Sequence, residues 1–238
     1  MPRITTLSVT RDDIIKAALR KLEVLGEGET PSTEDTTNCA FGLNLMIKAW
    51  EKDGFYLWKT QEIILPLLAG TNTYQIGPSA TGTGALVTHR PIRLMDTCFR
   101  RDTTTVLDVA VKILSRQEYN QLGLKSTSSI VSQIYYDPQL TNGILKVYGT
   151  PSDSNYALYL TVQIPVYDFS SGTEALDFPQ EGYQAVVYGL ADEMMDEYPK
   201  PNQLTVQRIM QKAQQFREQL ADWSQEETSV FFTPQFQR

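Results

Sequence analysis

Residues 10–58 carry the strongest folding constraint in the chain: two helical patterns joined by an acidic Gly/Pro loop and closed by a run of aromatics. Thr10 and Asp13 are spaced as a helix capping box, in which hydroxyl and carboxylate satisfy amides that the first turn leaves unpaired. Ile14, Ile15, Ala18, Leu19, Leu22 and Leu25 then recur at the spacing of one apolar stripe. Gly26 and Gly28 are placed to end this helix, since glycine accepts the left-handed conformation at a helix terminus. Pro31-Ser32 restarts the chain, with Ser32 as a candidate cap and Glu34 and Asp35 set against the positive end of the helix dipole. Ala40, Leu43, Ile47 and Trp50 mark the buried face of the second helix, and Gly54 stops it before Phe55, Tyr56, Leu57 and Trp58. Rich in packing signals, the segment offers no nucleophile, metal cluster or phosphate loop.

From Lys59 the apolar period changes from helical to strand-like. Ile63–Leu68 and Thr73–Ile76 read as a hairpin around Gly70-Thr71-Asn72, with Pro66 suggesting an edge strand or bulge because it cannot donate to a ladder. Pro91–Arg100 alternates as a strand, and Thr103–Ile113 reads as a second hairpin arm. Ser115 to Glu118 reads as a capped short helix. Ile130–Tyr136, Ile144–Tyr148 and Tyr156–Ile164 are further strands, and Asn142-Gly143 is a hairpin turn signal. Helical spacing returns at Gln180, where Tyr183, Val186, Val187, Leu190, Ala191 and Met194 form a stripe that Pro199 and Pro201 break. A last helix, from Leu204 to about Glu226, puts Val206, Ile209, Met210, Ala213, Phe216, Leu220 and Trp223 on one side. The expected architecture is α+β. A four-helix bundle forms from the N- and C-terminal helix pairs (1–58 and 180–227), an antiparallel β-rich domain is inserted at 59–179, and an extended tail follows at 228–238.

Composition narrows function. Asp and Glu total 28 against 21 Lys and Arg, a formal charge of −7. Such a balance argues against a broad DNA-binding surface, which needs clustered cations, and leaves room for a wall that DNA slides past. Cys39 and Cys98 form no motif and read as free thiols in a reducing cytoplasm. No signal peptide is expected, and no apolar run approaches the roughly 20 residues that span a bilayer. The single histidine, His89, reads as a loop or strand-end residue; a Ser-His-Asp triad would have to use it, and no G-x-S-x-G elbow is present. Two cysteines and one histidine cannot build a Cys/His metal site. Neither GTNTYQIG nor GTG has the setting of a phosphate cradle. No catalytic residue, cofactor or metal is therefore expected. The aromatic run Phe55–Trp58 lacks the basic groove of a base-stacking platform and reads as a plug between the helices and the β-rich part.

Two features remain. Asp192, Glu193, Asp196 and Glu197 share the helix face opposite the apolar stripe and read as a solvated surface. In a ring of subunits they are candidate channel-lining residues, whose like charge would keep DNA from sticking. Their chemical alternative is an oxygen-ligand metal site or a glycosidase pair. The chain ends TSVFFTPQFQR, and three phenylalanines in this segment (Phe231, Phe232, Phe236) depart from the apolar-poor composition of disordered tails. The segment either folds back on its own helices or docks on a partner, and burying each phenylalanine contributes about 1.5–3 kcal/mol.

AALRKLEVLGEGETPSTED followed by GLNLMIKAWEKDGFYLW resembles the opening of the head-to-tail adaptor family of short-tailed, podovirus-type bacteriophages, also called head-completion or packaged-DNA-stabilisation proteins. LLAGTNTYQIG, RPIRLMDTCFR, LSRQEYNQL, IYYDPQLTNGILKVYGTP and FPQEGYQAVVYGLADEMMDEYPKP resemble the family's later segments in order. Ser132-Gln133 departs from the proline common before the "YYDP" strand. The resemblance implies a non-enzymatic virion protein at the head-to-tail junction, assembled in the host cytoplasm. It implies a dodecameric ring below the portal that extends the DNA channel, helps retain packaged DNA and carries the tail nozzle and fibre or tailspike. The implied partners are the portal protein, tail proteins, further copies of itself and passing double-stranded DNA without sequence-specific binding; no membrane is involved. By position, Val230, Phe231, Phe232, Pro234 and Phe236 would dock on the portal. The competing expectation is a virion-associated, carboxylate-based cell-wall glycosidase, which needs two carboxylates in a cleft at about 5–10 Å.

Overall fold

A computed structural model describes residues 7–53, 59–95, 97–199 and 202–223. The chain divides into two compact units, residues 1–58 with 166–238, and residues 59–165. Each unit has its own apolar core.

The helical unit begins with α1 (Arg11–Lys21), whose capping box is complete. The Thr10 hydroxyl accepts from the Asp13 amide at 3.3 Å, and the Asp13 carboxylate accepts from the Thr10 amide at 3.1 Å. α1 ends before either glycine, because Glu23 itself takes the left-handed conformation (φ 61°). Its carboxylate accepts from the Thr205 hydroxyl at 3.0 Å, which holds that turn in place. α2 (Thr33–Asp53) opens with a second reciprocal cap: Ser32 donates to Asp35 at 2.6 Å, and the Asp35 amide donates to the Ser32 hydroxyl at 3.1 Å. The expected helix stop at Gly54 and the aromatic run Phe55–Trp58 lie outside the described residues.

α4 (Tyr183–Glu193) is the common partner of α1, α2 and α5 (Gln203–Trp223). Its buried residues Ala185, Val186, Val187, Tyr188, Leu190 and Ala191 cover more than one side, which suits a central helix rather than a bundle corner. The expected four-helix bundle is therefore not what forms. Three helices surround a central one, and α1 has 11 residues against 21 in α2 and α5. Part of the core comes instead from the irregular stretch 166–179, through Val166, Phe169, Leu176 and Phe178. Asn44 fastens that stretch by accepting from the Phe169 amide at 3.0 Å, and Lys48 by donating to the Val166 carbonyl at 2.6 Å.

The β unit holds two five-stranded sheets. In one, β1 (Thr60–Pro66) pairs along its length with β10 (Tyr156–Gln163), and β5 (Phe99–Asp102) and β6 (Asp108–Ala110) follow; β4 (Arg93–Leu94) also pairs with β10. In the other, the order is β3 (Leu86–Val87), β2 (Thr73–Gly77), β9 (Gly143–Tyr148), β8 (Gln133–Asp137) and β7 (Lys112–Ile113). Inward residues of both sheets, among them Leu65, Leu158, Leu160, Tyr74, Ile134 and Leu145, share one core. This corrects two further expectations. β1 and β2 are not a hairpin, since they enter different sheets, and the chain crosses between them through buried Leu67. Nor is the unit purely antiparallel: β2·β3 and β7·β8 run parallel. A short helix, α3 (Arg116–Gln121), carries the expected cap, with the Ser115 hydroxyl accepting from the Glu118 amide at 3.2 Å. Around Asn142-Gly143, β8 and β9 do pair, and Gly143 leaves the space that the buried Tyr136 ring occupies.

Candidate docking surfaces

Several carboxylates in this chain accept from backbone amides. Asp13 is held below the ordinary carboxylate range first by its hydrogen bond from the Thr10 side chain, and Asp35 first by Ser32 and then by Tyr198. Asp102 is lowered by the Thr104 and Thr105 amides, Glu118 by the Ser115 amide, and Asp108 by Arg101, which grips it at 2.6 Å through two nitrogens. A lowered pKa is the reverse of what a general acid at neutral pH requires. Among the described residues no group of three or more His, Cys, Asp and Glu side chains could hold a metal ion. His89 is exposed between β3 and β4, and Cys39 and Cys98 are buried in different units and form no disulfide.

The acidic residues Asp192, Glu193, Asp196 and Glu197 are all exposed, where α4 passes into a short 3-10 turn (Met194–Asp196). Met194 and Met195 between them are buried, so the run forms one acidic face. The Asp192 carboxyl is raised above the ordinary range, first by partial shielding from water and then by the charge of Asp196. Val230, Phe231, Phe232, Pro234 and Phe236 lie outside the described residues.

The surface also carries apolar residues that the stripe argument missed. Phe41 and Leu45, one turn apart on α2, are 67% and 51% exposed. They lie off the Leu43–Ile47–Trp50 face, and a helical wheel of α2 would have found them. On α5, Met210 and Trp223 are 54% and 46% exposed, although the periodicity put them on the buried side. Between α2 and α5, over α4, runs a furrow of about 280 Å³ lined by Met46, Trp50, Gly189, Asp192, Met210 and Arg217 among others. In the β unit, the β5–β6 hairpin exposes Val106 and Leu107 in its connection and Val109 on the edge strand β6. Asp108 on that edge is neutralised by Arg101, so the charge that would otherwise repel another strand is weakened. No helix among the described residues is long and apolar enough to cross a membrane.

No individually curated protein matches the sequence. The model of the SU10 adaptor protein family matches residues 9–237, all but the two ends of the chain. The chain therefore belongs to the SU10 adaptor protein family, a family of phage structural adaptors.

Proposed function

We propose that the chain is the head-to-tail adaptor of a phage virion, a ring of identical copies that binds below the portal, extends the DNA channel, helps retain packaged DNA and carries the tail nozzle and fibres. The family match over residues 9–237 carries this reading. The resemblance of the ordered segments to podovirus-type adaptors supports a dodecamer. In this reading Val230, Phe231, Phe232, Pro234 and Phe236 grip the portal. Asp192, Glu193, Asp196 and Glu197 put the acidic end of α4 beside the channel, at the seam between copies, where its net negative charge keeps the phosphate backbone moving. The role is structural and needs no cofactor, and packing and docking are the whole of its chemistry.

Deleting Thr228–Arg238 tests the tail assignment. Binding of the truncated protein to portal rings is expected to fall sharply while its helical circular dichroism stays the same. Unchanged portal binding would remove the tail from the docking surface.

A further inference from the structure

Two features of the helical unit complement each other. One is the ridge on α2 made by Phe41 and Leu45, on the side of the helix away from the buried Cys39, Leu43 and Ile47. Lys52 extends the same face at helical spacing, is exposed and has no ion pair among the described residues, whereas Lys48 is held within its own unit by Glu51, Asp168 and the Val166 carbonyl. The other is the furrow between α2 and α5. Gly189 forms its floor, where a Cβ would meet the Trp50 ring at 2.8 Å and the Met46 sulfur at 2.9 Å. Met210 stands exposed at its side, and Asp192 and Glu193 supply an acidic rim.

We propose that the furrow of one copy receives the α2 ridge of the next, with Phe41 and Leu45 seated beside Met210 and Lys52 facing Asp192 and Glu193. This rests on the ring reading above and names the surfaces that would build the ring. The occupant is a second copy because the chain itself carries both halves of the match, an apolar ridge that ends in the exposed cation Lys52 and a furrow with exposed Met210 whose lining holds Asp192 and Glu193 beside Arg217. Ridge and furrow lie on different faces of one unit, so the contact is head-to-tail and repeats until it closes, rather than ending at a two-fold dimer. It would cover apolar side chains that the lone chain leaves in water and bring Lys52 to the carboxylates of the rim.

Cross-linking on the assembled full-length protein tests the contact. Leu45→Cys and Met210→Cys are made in separate chains, mixed, assembled with the portal protein of the same phage and oxidised; the native thiols are buried. The expected result is a covalent dimer only when the two variants are mixed, and a ladder of higher species from the double variant. As a second arm, Phe41→Asp with Leu45→Asp should reduce ring yield about tenfold or more with unchanged circular dichroism. Lys52→Glu should weaken assembly, and Asp192→Lys should restore it. Rings that form without the cross-link and tolerate Phe41→Asp would overturn this contact and leave the ring reading intact. Cross-linking within either single variant alone would overturn it in favour of a two-fold contact. Failure of the unaltered protein to oligomerise with the portal would overturn the ring reading and this contact together.

Discussion

Asp13, Asp35, Asp102 and Glu118 cap backbone amides, and each is held below its ordinary pKa by the bonds it accepts. For a depressed carboxylate, the stabilising contribution is full above the unfolded value and is lost as pH falls through the folded one. The protein is therefore expected to lose thermal stability on acidification below about pH 4, in step with protonation of these caps. Asp192 has the opposite sign. Its raised carboxyl favours folding while protonated, and that contribution disappears as pH rises through the folded value. Asp192→Asn should raise the melting temperature at pH 7 and lose that advantage below about pH 4; melts at both pH values decide the matter, and an unchanged melting point at pH 7 would refute it. Gly189→Ala sets a helix preference of about 1 kcal/mol against overpacking of about 1–3 kcal/mol on the rigid Trp50 ring. A net loss is expected in denaturant titration. In the β unit the Tyr136 hydroxyl donates to the Pro91 carbonyl at 2.7 Å in a buried setting, so Tyr136→Phe should destabilise by about 1–2 kcal/mol.

At the scale of elements, local signals were the readable ones. The caps at Thr10, Ser32 and Ser115 announce helices that form where those residues stand, because the signal and the structure lie within one turn. Thr10→Ala should therefore cost about 0.5–2 kcal/mol, seen as an earlier urea midpoint with unchanged slope. Alternation likewise marked β8, β9 and β10 to within a few residues. Pairing was not legible. Ile63–Leu68 and Thr73–Ile76 look like two arms of a hairpin, yet β1 pairs with β10, far along the chain, and local period carries no information about such partners. The four-helix bundle failed for a similar reason. Four amphipathic segments do not reveal that one is buried on several sides, or that Val166, Phe169, Leu176 and Phe178, in a stretch without helical period, fill part of the core. The candidate site was legible only in part. The acidic run was plain in the sequence, but the furrow beside it depends on the spacing of α2 and α5 over Gly189.

For the whole molecule, two cores imply two cooperative units. The β unit enters and leaves through paired strands: Thr60 is opposite Gln163, and the Ile164 amide donates to the Lys59 carbonyl at 3.0 Å. Residues 59–165 expressed alone should therefore fold, with protected amides in β1 and β10 by hydrogen exchange; rapid exchange throughout would show that the unit depends on the helices. The central claim is that this chain builds a ring on a portal. Mass measurement of the full-length protein alone, and then mixed with the portal protein of the same phage, tests it most directly. The expected result is a discrete complex in which multiple copies of the chain join each portal ring. A chain whose mass does not change in the presence of the portal would contradict it.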